Sequence, residues 1–478
     1  MGTRYTRREV IGMSLAVAAA GALAGSAVYG KDEVLMKQND SVGNKAPIGT
    51  RFFWNWDHST EWALNRAGAQ TLGASNHYGR TPETFVEDFS KMVKWCGKHS
   101  VDGVVVWGLL RDMHGGVESV KKICDAAHAN NVKVLCGVGL NCYGGVYYEG
   151  ESPYSLEKHL QAHPELVGVN EAGYKMAYNF GILGPKITTH ACPSRKENQD
   201  FMSESLSWLF KNVPIDGVQM ETGDTGVCKC KLCTERRANP ECGISWDDMA
   251  LMYPMAGKSI RTEKPDAWII CETYAHPEPY SDKEKQQGFG TGKPSWADKC
   301  MEQFPEGTFV QWAGDAFFKP QSARKWTDTG MVTDKRHRHI MRAHFGTYWG
   351  GIRGEVSVEY IADMFQQSMA HGIEAISLFG EVSPFNTGAE LNYLALQNFG
   401  STANSKADID LFLKEVAAPL LGGEEAARDY LKYGRLRWEP ARIPDALKDI
   451  KSRCTSLSPD ATRRWTWLAN FLASFIYE

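Results

Sequence analysis

Short, nearly continuous apolar runs alternate with helical patterns along most of the chain, and this alternation constrains the fold more than any other feature. Runs such as 101–108 and 132–139 carry few polar residues, which is typical of strands buried on both faces of a parallel sheet. Between them, residues 116–130 place Val120 and Ile123 on one helical face. Strands that alternate with helices at this spacing predict an α/β fold with a parallel sheet.

Eight segments have the apolar pattern of a strand, which favours a closed (β/α)8 TIM barrel over an open sheet. They are residues 49–58, 101–108, 132–139, 215–220, 267–272, 308–312, 339–349 and 373–381. A long insertion at about 141–195 separates the third strand from the fourth, and loops of that length are usually functional. From about residue 390 the strand pattern stops, and 408–421, 424–436 and 444–478 are predicted to form a C-terminal helical region.

The first thirty residues are predicted to be a targeting signal. Arg7 and Arg8 precede an apolar, alanine-rich run at 11–28, which is typical of a twin-arginine export signal. This predicts a periplasmic or extracellular protein, with no stable membrane span once the signal is removed. The predicted organisation is a signal at 1–30, a polar linker at 31–48, a catalytic barrel at 49–389 and the helical region at 390–478.

Composition excludes one class of partner. The chain has 478 residues and a formal net charge of −4, which argues against the basic footprint of nucleic-acid-binding proteins. Fifteen tryptophans and eighteen tyrosines supply flat apolar faces, most of them for core packing. Those at strand ends are candidates for stacking against sugar rings. The sequence does not indicate an oligomeric state.

Acidic residues follow the ends of several predicted strands, where a barrel presents its side chains to substrate. Glu221 and Asp224 follow the fourth strand, Glu272 the fifth, Asp315 the sixth and Glu381 the eighth. Any one of them could instead cap a helix or pair with an arginine. Cleavage of a glycosidic bond needs two carboxyl groups, one to protonate the leaving oxygen and one to act as base or nucleophile. Such a reaction requires no cofactor.

Aromatic and polar residues at other strand ends are predicted to line a carbohydrate-binding rim: Trp54, Trp107, Asn141, Tyr143, Trp312 and Trp349. Several cationic or titratable residues are candidates for holding an anionic or hydroxylated ring: Arg111, His114, His190, His344 and Arg353. The basic run at 336–339 is interpreted as a solvated turn.

A cysteine cluster follows Glu221. Cys228, Cys230 and Cys233 lie close together in sequence, and Cys242 follows after a short gap. Thiolates at this spacing are able to bind a structural zinc ion. An exported protein is also exposed to oxidising conditions that favour a disulfide, and Cys230 and Cys233 have the spacing of a redox pair. All three alternatives stay open. The remaining eight cysteines, Cys192 among them, are separate from the cluster in sequence.

Residues 216–224 together with the cysteine run at 228–233 resemble bacterial barrel glycosidase-like proteins related to the family 20 β-hexosaminidases and the family 67 α-glucuronidases. Residues 391–399 and 407–413 resemble the helical tail of such barrels. The resemblance implies a (β/α)8 fold with the catalytic acid just after the fourth strand, a position that falls on Glu221. It also implies a base from a later strand: Glu272, Asp315 or Glu381.

The leading hypothesis is an exported glycoside hydrolase that acts on an oligo- or polysaccharide. In it Glu221 is the general acid, Glu272 is the base or nucleophile, and Asp224 orients Glu221 or the substrate. Trp54, Trp107, Trp312 and Trp349 form the sugar platform, and Arg353 holds an acidic group. The alternatives are a non-catalytic glycan-binding protein on the same barrel, and a metal-dependent or redox enzyme built on the cysteine loop.

Overall fold

The computed structural model describes residues 46–63, 81–179, 187–223, 226–241, 243–279, 292–314, 332, 334–343 and 355–476. Across the described ranges, the chain forms two compact units. One is a barrel unit of residues 48–345 and 367–383, and the other is a helical unit that takes in 346–366 and 384–478. The boundary predicted at residue 389 stays a prediction. So do the signal and linker, which lie almost wholly outside the described residues.

Eight strands of the barrel unit, all within the described ranges, pair in parallel and close on themselves in the order β1-β8-β7-β6-β5-β4-β3-β2. The predicted (β/α)8 barrel is therefore confirmed. The strands are β1 Thr50–Trp56, β2 Gly103–Trp107, β3 Lys133–Gly139, β4 Gly217–Glu221, β5 Trp268–Glu272, β6 Phe309–Ala313, β7 Arg338–Ala343 and β8 Ala375–Phe379. Each begins within two residues of a predicted strand, but β7 ends at residue 343, whereas the prediction extended to residue 349.

Large aromatic side chains fill the amino-terminal half of the barrel interior. Phe52 lies edge-on to Trp268 at 5.4 Å and to Phe309 at 5.7 Å between ring centroids. Two long cations cover this layer, with the Lys133 ammonium 5.0 Å from the Trp268 ring and the Arg338 guanidinium 4.3 Å from the Phe309 ring. Because this end is packed solid, any ligand site in the barrel interior lies toward the carboxyl ends of the strands.

Helices of the barrel unit alternate with its strands: Pro82–Lys98, Gly116–His128, Leu156–Ala162, Lys196–Asn212, Lys231–Arg236, Trp246–Glu263 and Ala297–Met301. The helix Val358–Ala370 precedes β8, and its residues up to 366 are assigned to the helical unit. The first of these begins at a capping box in which the Thr81 hydroxyl accepts from Thr84 N and Thr84 caps Thr81 N in return. No helix in the part of the chain that the structure describes is long and apolar enough to cross a membrane.

In its described residues, 141–179 and 187–195, the insertion between β3 and β4 carries little regular structure of its own. It contains the helix Leu156–Ala162 and an antiparallel pair of short strands, Ala177–Asn179 and Ile187–Thr189. Backbone hydrogen bonds join its return segment to the loop after β3, with Ala191 N donating to Asn141 O at 2.7 Å. This contact brings residues 190–192 back beside the barrel mouth.

The helical unit consists of Thr387–Asn398, Ile409–Phe412, Ala418–Leu421, Glu424–Gly434, Ile443–Arg453 and Pro459–Ala473, with a π-helical turn at Leu413–Ala417. Trp465 is its central packing residue. The indole is fully buried, lies 4.9 Å from the Tyr430 ring and donates to Leu421 O at 2.9 Å. Arg464 forms a two-pronged ion pair with Glu390 at 2.7 and 2.6 Å. The prediction that the C-terminal region is helical is confirmed.

The interpretation of residues 336–339 as a solvated turn is wrong for its second half. Arg338 and His339 begin β7, and His339 is only 3% exposed. Desolvation lowers the pKa of His339 to about 4, so the ring is neutral and packs like an apolar group. A basic run gives no sign of such burial, because alternate residues of a strand face opposite ways.

Candidate active site at the carboxyl ends of the strands

Glu221 and Glu272 are the last residues of β4 and β5. Met220 pairs with Cys271 across these two strands, so the next positions along both strands are the two glutamates. Neighbouring strands lie about 4.8 Å apart, and side chains in register point to the same face. Both are nearly inaccessible to bulk solvent, at 2% and 0% exposure. The structure therefore brings together the two acids predicted to carry the chemistry.

Contacts across the barrel show that the Glu272 carboxylate points inward. Glu272 Oε2 accepts a hydrogen bond from the Gln311 amide on β6 and a long one from Gln219 Nε2 on β4 at 3.4 Å. Arg342 Nη1 on β7 lies 3.3 Å from the same oxygen. Burial raises the pKa of Glu272, while the charge of Arg342 and the Gln311 hydrogen bond oppose that rise. Surrounded by donors, the carboxylate is held in place as an acceptor.

Tyr274 bridges the two glutamates. Its hydroxyl donates to Glu221 Oε2, and its backbone N donates to Glu272 Oε1 at 2.8 Å. The residue has a φ of 54°, a left-handed conformation that is uncommon for a bulky side chain. Strain of this kind persists where the surrounding structure fixes it, and it clusters at functional sites. The left-handed backbone directs the Tyr274 ring back over the strand ends, so that this one residue hydrogen-bonds to both carboxylates.

Arg342 is the cation of the site. Its guanidinium lies 4.8 Å from the Trp54 ring and 5.2 Å from the Tyr274 ring. Nε and Nη2 are buried and have no hydrogen-bond partner among the described residues. Trp54 is fixed in turn by a hydrogen bond from its indole to Ala343 O at 3.2 Å. Trp54 therefore serves as a support for Arg342 at 3% exposure, rather than as an open stacking surface.

A cluster of aromatic rings stands beside the carboxylates, above β1 and β2. Trp56 lies 5.6 Å from Trp107, 5.7 Å from Tyr143 and 6.2 Å from Tyr148 between ring centroids. Trp107 packs directly over the backbone of Gly137, where a Cβ atom would lie 2.3 Å from the indole. Trp56 is the member that is partly exposed. Sequence reasoning singled out Trp107 and Tyr143 but not Trp56, although alternation from Trp54 would have indicated it.

Two buried hydrogen-bond acceptors lie beside the turn that follows Glu221. Asn141 Nδ2 donates to Thr222 O at 3.2 Å, and its Oδ1 has no partner among the described residues. His190 Nδ1 lies 2.9 Å from Ala191 O, and its Nε2 likewise lacks a described partner. Burial lowers the pKa of His190, so the ring is neutral. With the proton on Nδ1, Nε2 is a hydrogen-bond acceptor.

A buried charge network lies under the aromatic cluster. Asp57 follows β1, and its Oδ2 pairs with Arg111 Nε at 2.7 Å. His58 and His114 approach the same carboxylate at 3.4 and 3.2 Å. Burial alone would raise the pKa of Asp57, but the Arg111 charge and the histidine hydrogen bonds hold it well below its ordinary value. Arg111 also pairs with Glu149. Its guanidinium is thus committed to protein partners, contrary to the prediction that it holds a substrate ring.

Two predicted rim residues lie elsewhere. Trp312 neighbours the inward-facing Gln311 on β6, so its side chain is on the outer face of the strand, where its indole donates to His339 Nδ1 at 3.2 Å. Glu381 is fully buried and accepts hydrogen bonds from Trp56 N at 3.1 Å and from the Ser59 hydroxyl. It braces the turn after β1. The predicted site residues Asp224, Asp315, Trp349, Arg353, His344 and Cys242 lie outside the described residues.

The cysteine cluster gains a member that is distant in sequence. The sulfur atoms of Cys192, Cys228, Cys230 and Cys233 all lie within 4.8 Å of one another. Cys192 comes from the return segment of the insertion, immediately after His190 and Ala191. The other three come from the loop that follows β4 and from the helix Lys231–Arg236, whose N-cap residue is Cys230. Four thiols are thus assembled from two segments that flank the Glu221 turn.

No protein-family model matches the chain, and no curated protein matches it. Solved structures with a distant likeness include a maltogenic α-amylase from Thermotoga neapolitana, at 12% identity and a TM-score of 0.39, over 72% of this chain and 75% of that one. A β-N-acetylhexosaminidase from Bacteroides fragilis shares 12% identity at a TM-score of 0.40, over 73% of this chain and 65% of that one. A family 20 β-N-acetylglucosaminidase shares 11% sequence identity at a TM-score of 0.43, over 80% of this chain and 76% of that one.

Proposed function

We propose that the protein is a glycoside hydrolase in which Glu221 is the general acid and Glu272 is the base or nucleophile. The observation that carries the proposal is the pairing of these two glutamates at the carboxyl ends of adjacent strands, bridged by Tyr274. Two carboxyl groups placed close together are the minimum that glycosidic cleavage requires. The reaction uses no cofactor.

The different surroundings of the two glutamates support these roles. Glu272 accepts hydrogen bonds from Tyr274 N and from two amides, and it faces the cation of Arg342. Such surroundings favour an ionised carboxylate that stabilises positive charge developing on the sugar. Glu221 Oε2 accepts a hydrogen bond from the Tyr274 hydroxyl, and the Cys142 thiol lies 3.9 Å from its Oε1. Both groups are neutral donors, and a carboxyl that contacts such groups is able to carry and deliver a proton.

Placement of the pair on adjacent strands favours a short separation between the two carboxyl groups, and a short separation favours retention of anomeric configuration. The glutamates occupy equivalent positions on neighbouring strands, whose backbones lie about 4.8 Å apart. Retaining enzymes place their carboxyl groups roughly 5–5.5 Å apart, whereas inverting enzymes leave about 6.5–9.5 Å for a water molecule. We therefore infer that Glu272 attacks the anomeric carbon directly, and that water hydrolyses the resulting glycosyl ester with Glu221 acting as base.

The substrate is proposed to be a carbohydrate whose ring packs on Trp56, the partly exposed ring of the aromatic cluster, and whose hydroxyls reach the acceptors of Asn141 and His190. The alternative function, glycan binding without catalysis, uses the same surfaces. Incubation of the purified protein with a panel of oligo- and polysaccharides distinguishes them. Release of new reducing ends, with a first product of retained configuration by proton NMR, is expected. Binding of a glycan that is never cleaved would favour the alternative.

We expect the pH dependence of catalysis to report the surroundings of Glu272. As the base or nucleophile it must be ionised, so kcat/KM should fall as the pH drops through its pKa. Burial raises that pKa above the ordinary value of 4.5. A neighbouring positive charge lowers the pKa of a carboxyl group by roughly 1–3 units. Arg342→Met removes such a charge, so the pKa of Glu272 should rise. The acidic limb should therefore move to higher pH by about one unit or more.

Arg342→Lys is the matched control for that measurement, because it keeps the charge and loses only the planar fork. Its acidic limb should stay closer to that of the wild-type enzyme. Circular dichroism and the unfolding temperature establish that both variants are folded. Coincident acidic limbs in the Met and Lys variants would show that Glu272 is not the group whose ionisation governs the rate.

We further propose that the protein is exported through the twin-arginine route to the periplasm or beyond. Arg7 and Arg8 directly before the apolar run support this. The double variant Arg7→Lys, Arg8→Lys keeps the charge and should accumulate in the cytoplasm, whereas Arg4→Lys should leave export unchanged. Fractionation of expressing cells measures both. Equal periplasmic amounts of the double variant and the wild-type protein would refute this route.

A further inference from the structure

We propose that Cys192, Cys228, Cys230 and Cys233 bind one structural zinc ion, which locks the turn after Glu221 in place. The site combines a short cysteine run with a thiol that lies far from it in the chain. Cys192 therefore takes the place of the fourth ligand that the sequence assigned to Cys242. The inference concerns metal binding and stands independently of the reaction proposed above.

The sulfur positions fit a tetrahedral metal site. Cys192 Sγ lies 3.6 Å from Cys230 Sγ and 3.5 Å from Cys233 Sγ. Zinc binds thiolates at about 2.3 Å, which places tetrahedral sulfur ligands roughly 3.8 Å apart. All four sulfurs also fall within 4.8 Å of one another. One ion at the centre would therefore reach every thiolate after only small adjustments.

The arrangement is harder to reconcile with a disulfide. Cys192 is almost equidistant from Cys230 and Cys233, so neither is singled out as its partner. One disulfide would use two of the four sulfurs and leave two further thiols in an interior where three of the four cysteines are buried. A single metal ion uses all four at once, and a site with four thiolates is closed to substrate and hence structural.

Groups around the sulfurs are arranged as an outer shell. The Val169 amide approaches Cys228 Sγ at 3.4 Å and the Ser194 hydroxyl approaches Cys233 Sγ at 3.1 Å. Both are donors suited to thiolates. The Met176 and Val169 side chains pack against the cluster and exclude water. Hydrogen-bond donors to the ligand atoms and apolar surroundings orient and retain the ligands of metal sites.

Positive charge stands close to the thiolates. The Arg237 side chain is 3% exposed, and its Nη1 donates to the backbone O of Cys228 at 2.7 Å. Arg236 Nε donates to the Ser194 hydroxyl at 2.9 Å, which in turn contacts Cys233. Both guanidinium groups also pair with Asp248, so they act on the cluster mainly through these hydrogen bonds.

The metal would connect the two segments that flank the Glu221 turn. Cys192 anchors the segment whose Ala191 N is bonded to Asn141 O, and Asn141 in turn holds Thr222 O. Gly223, with a φ of 107°, lies against this segment, since a Cβ there would sit 3.2 Å from His190 Nε2. Cys228 is five positions further along. Coordination therefore closes a loop around the turn and limits how far Glu221 can move.

Elemental analysis of the full chain, purified without a metal-chelating column, tests the proposal. We expect about one zinc per chain, and Cys192→Ser and Cys233→Ser should each retain less than about one tenth of that amount. Cys454→Ser is the matched control, because Cys454 lies in the helical unit outside the cluster, and it should keep the full amount. Stripping zinc with a chelator should lower the unfolding temperature, and restoring zinc should recover it.

Mass spectrometry of a digest made without reductant supplies the second measurement. We expect the four cysteines to be alkylated only after zinc is removed. A disulfide among them in the purified protein, stoichiometric iron with visible absorbance, or full zinc content in Cys192→Ser would each overturn the proposal. None of these readouts needs a substrate, so they stand apart from any failure to detect glycosidase activity.

Discussion

Glu221→Gln is expected to lower kcat by a factor of about 10²–10⁴ on any true substrate, the contribution typical of a general acid. The amide has almost the same shape as the carboxyl and still accepts a hydrogen bond from Tyr274, so packing around the strand end is preserved. The amide cannot deliver a proton to the leaving oxygen. Steady-state kinetics on a substrate from the glycan panel measures the effect, and the unfolding temperature should be close to that of the wild-type protein.

Glu118→Gln is the matched control for this variant. Its side chain is 76% exposed on the helix Gly116–His128 and pairs with Lys121, away from the strand ends. The same chemical change there should leave kcat unaltered. Full turnover in Glu221→Gln would refute the role assigned to Glu221, and an equal loss in both variants would indicate that the assay reports protein quality instead of proton transfer.

The second large effect concerns stability. Arg111→Met should reduce the free energy of unfolding of the barrel by about 3–5 kcal/mol, because it leaves the Asp57 carboxylate buried without its cation. Asp57 is 0% exposed, and His58 and His114 compensate only in part. Denaturation in urea at pH 7, followed by tryptophan fluorescence, measures the change. The double variant Asp57→Asn, Arg111→Met should recover part of the loss, since no charge is then orphaned.

The pH dependence of this effect has a definite sign. The pKa of Asp57 is depressed in the folded protein, so its contribution to stability is present above the unfolded-state pKa, about 3.9. That contribution is lost as the pH falls through the folded pKa. The deficit of Arg111→Met should accordingly be full at pH 7 and shrink in acid. Arg428→Met, which breaks an exposed pair with Asp410, should cost less than about 1 kcal/mol.

The barrel and its two central acids could be predicted from the sequence for a physical reason. Strands buried on both faces are apolar throughout, so their lengths and spacing can be recognised, and the acids that end them stand out. Because these strands are apolar throughout, their sequence does not show which side chains face the barrel interior and which face outward. Trp312 and Gln311 are neighbours in an apolar run, and only the closed register shows that Gln311 faces inward while Trp312 faces out.

Other parts of the site depend on contacts that a sequence pattern does not show. Tyr274 reaches both glutamates through a left-handed backbone, a conformation that sequence normally marks only with glycine, asparagine or aspartate. Arg342 lies inside a strand in a basic stretch that resembles a solvated face. Cys192 joins three cysteines that are 36 or more positions away, and only the fold of the insertion brings it to them.

The dependence of the reaction on the leaving group tests the central claim most directly. A general acid is needed when the leaving group is a poor one, such as a sugar hydroxyl, and contributes little when the leaving group departs unprotonated. We predict that Glu221→Ala loses a factor of about 10²–10⁴ in kcat/KM on the glycan substrate, and less than about tenfold on the dinitrophenyl glycoside of the same sugar. Equal losses on both substrates would contradict the assignment of Glu221 as the proton donor.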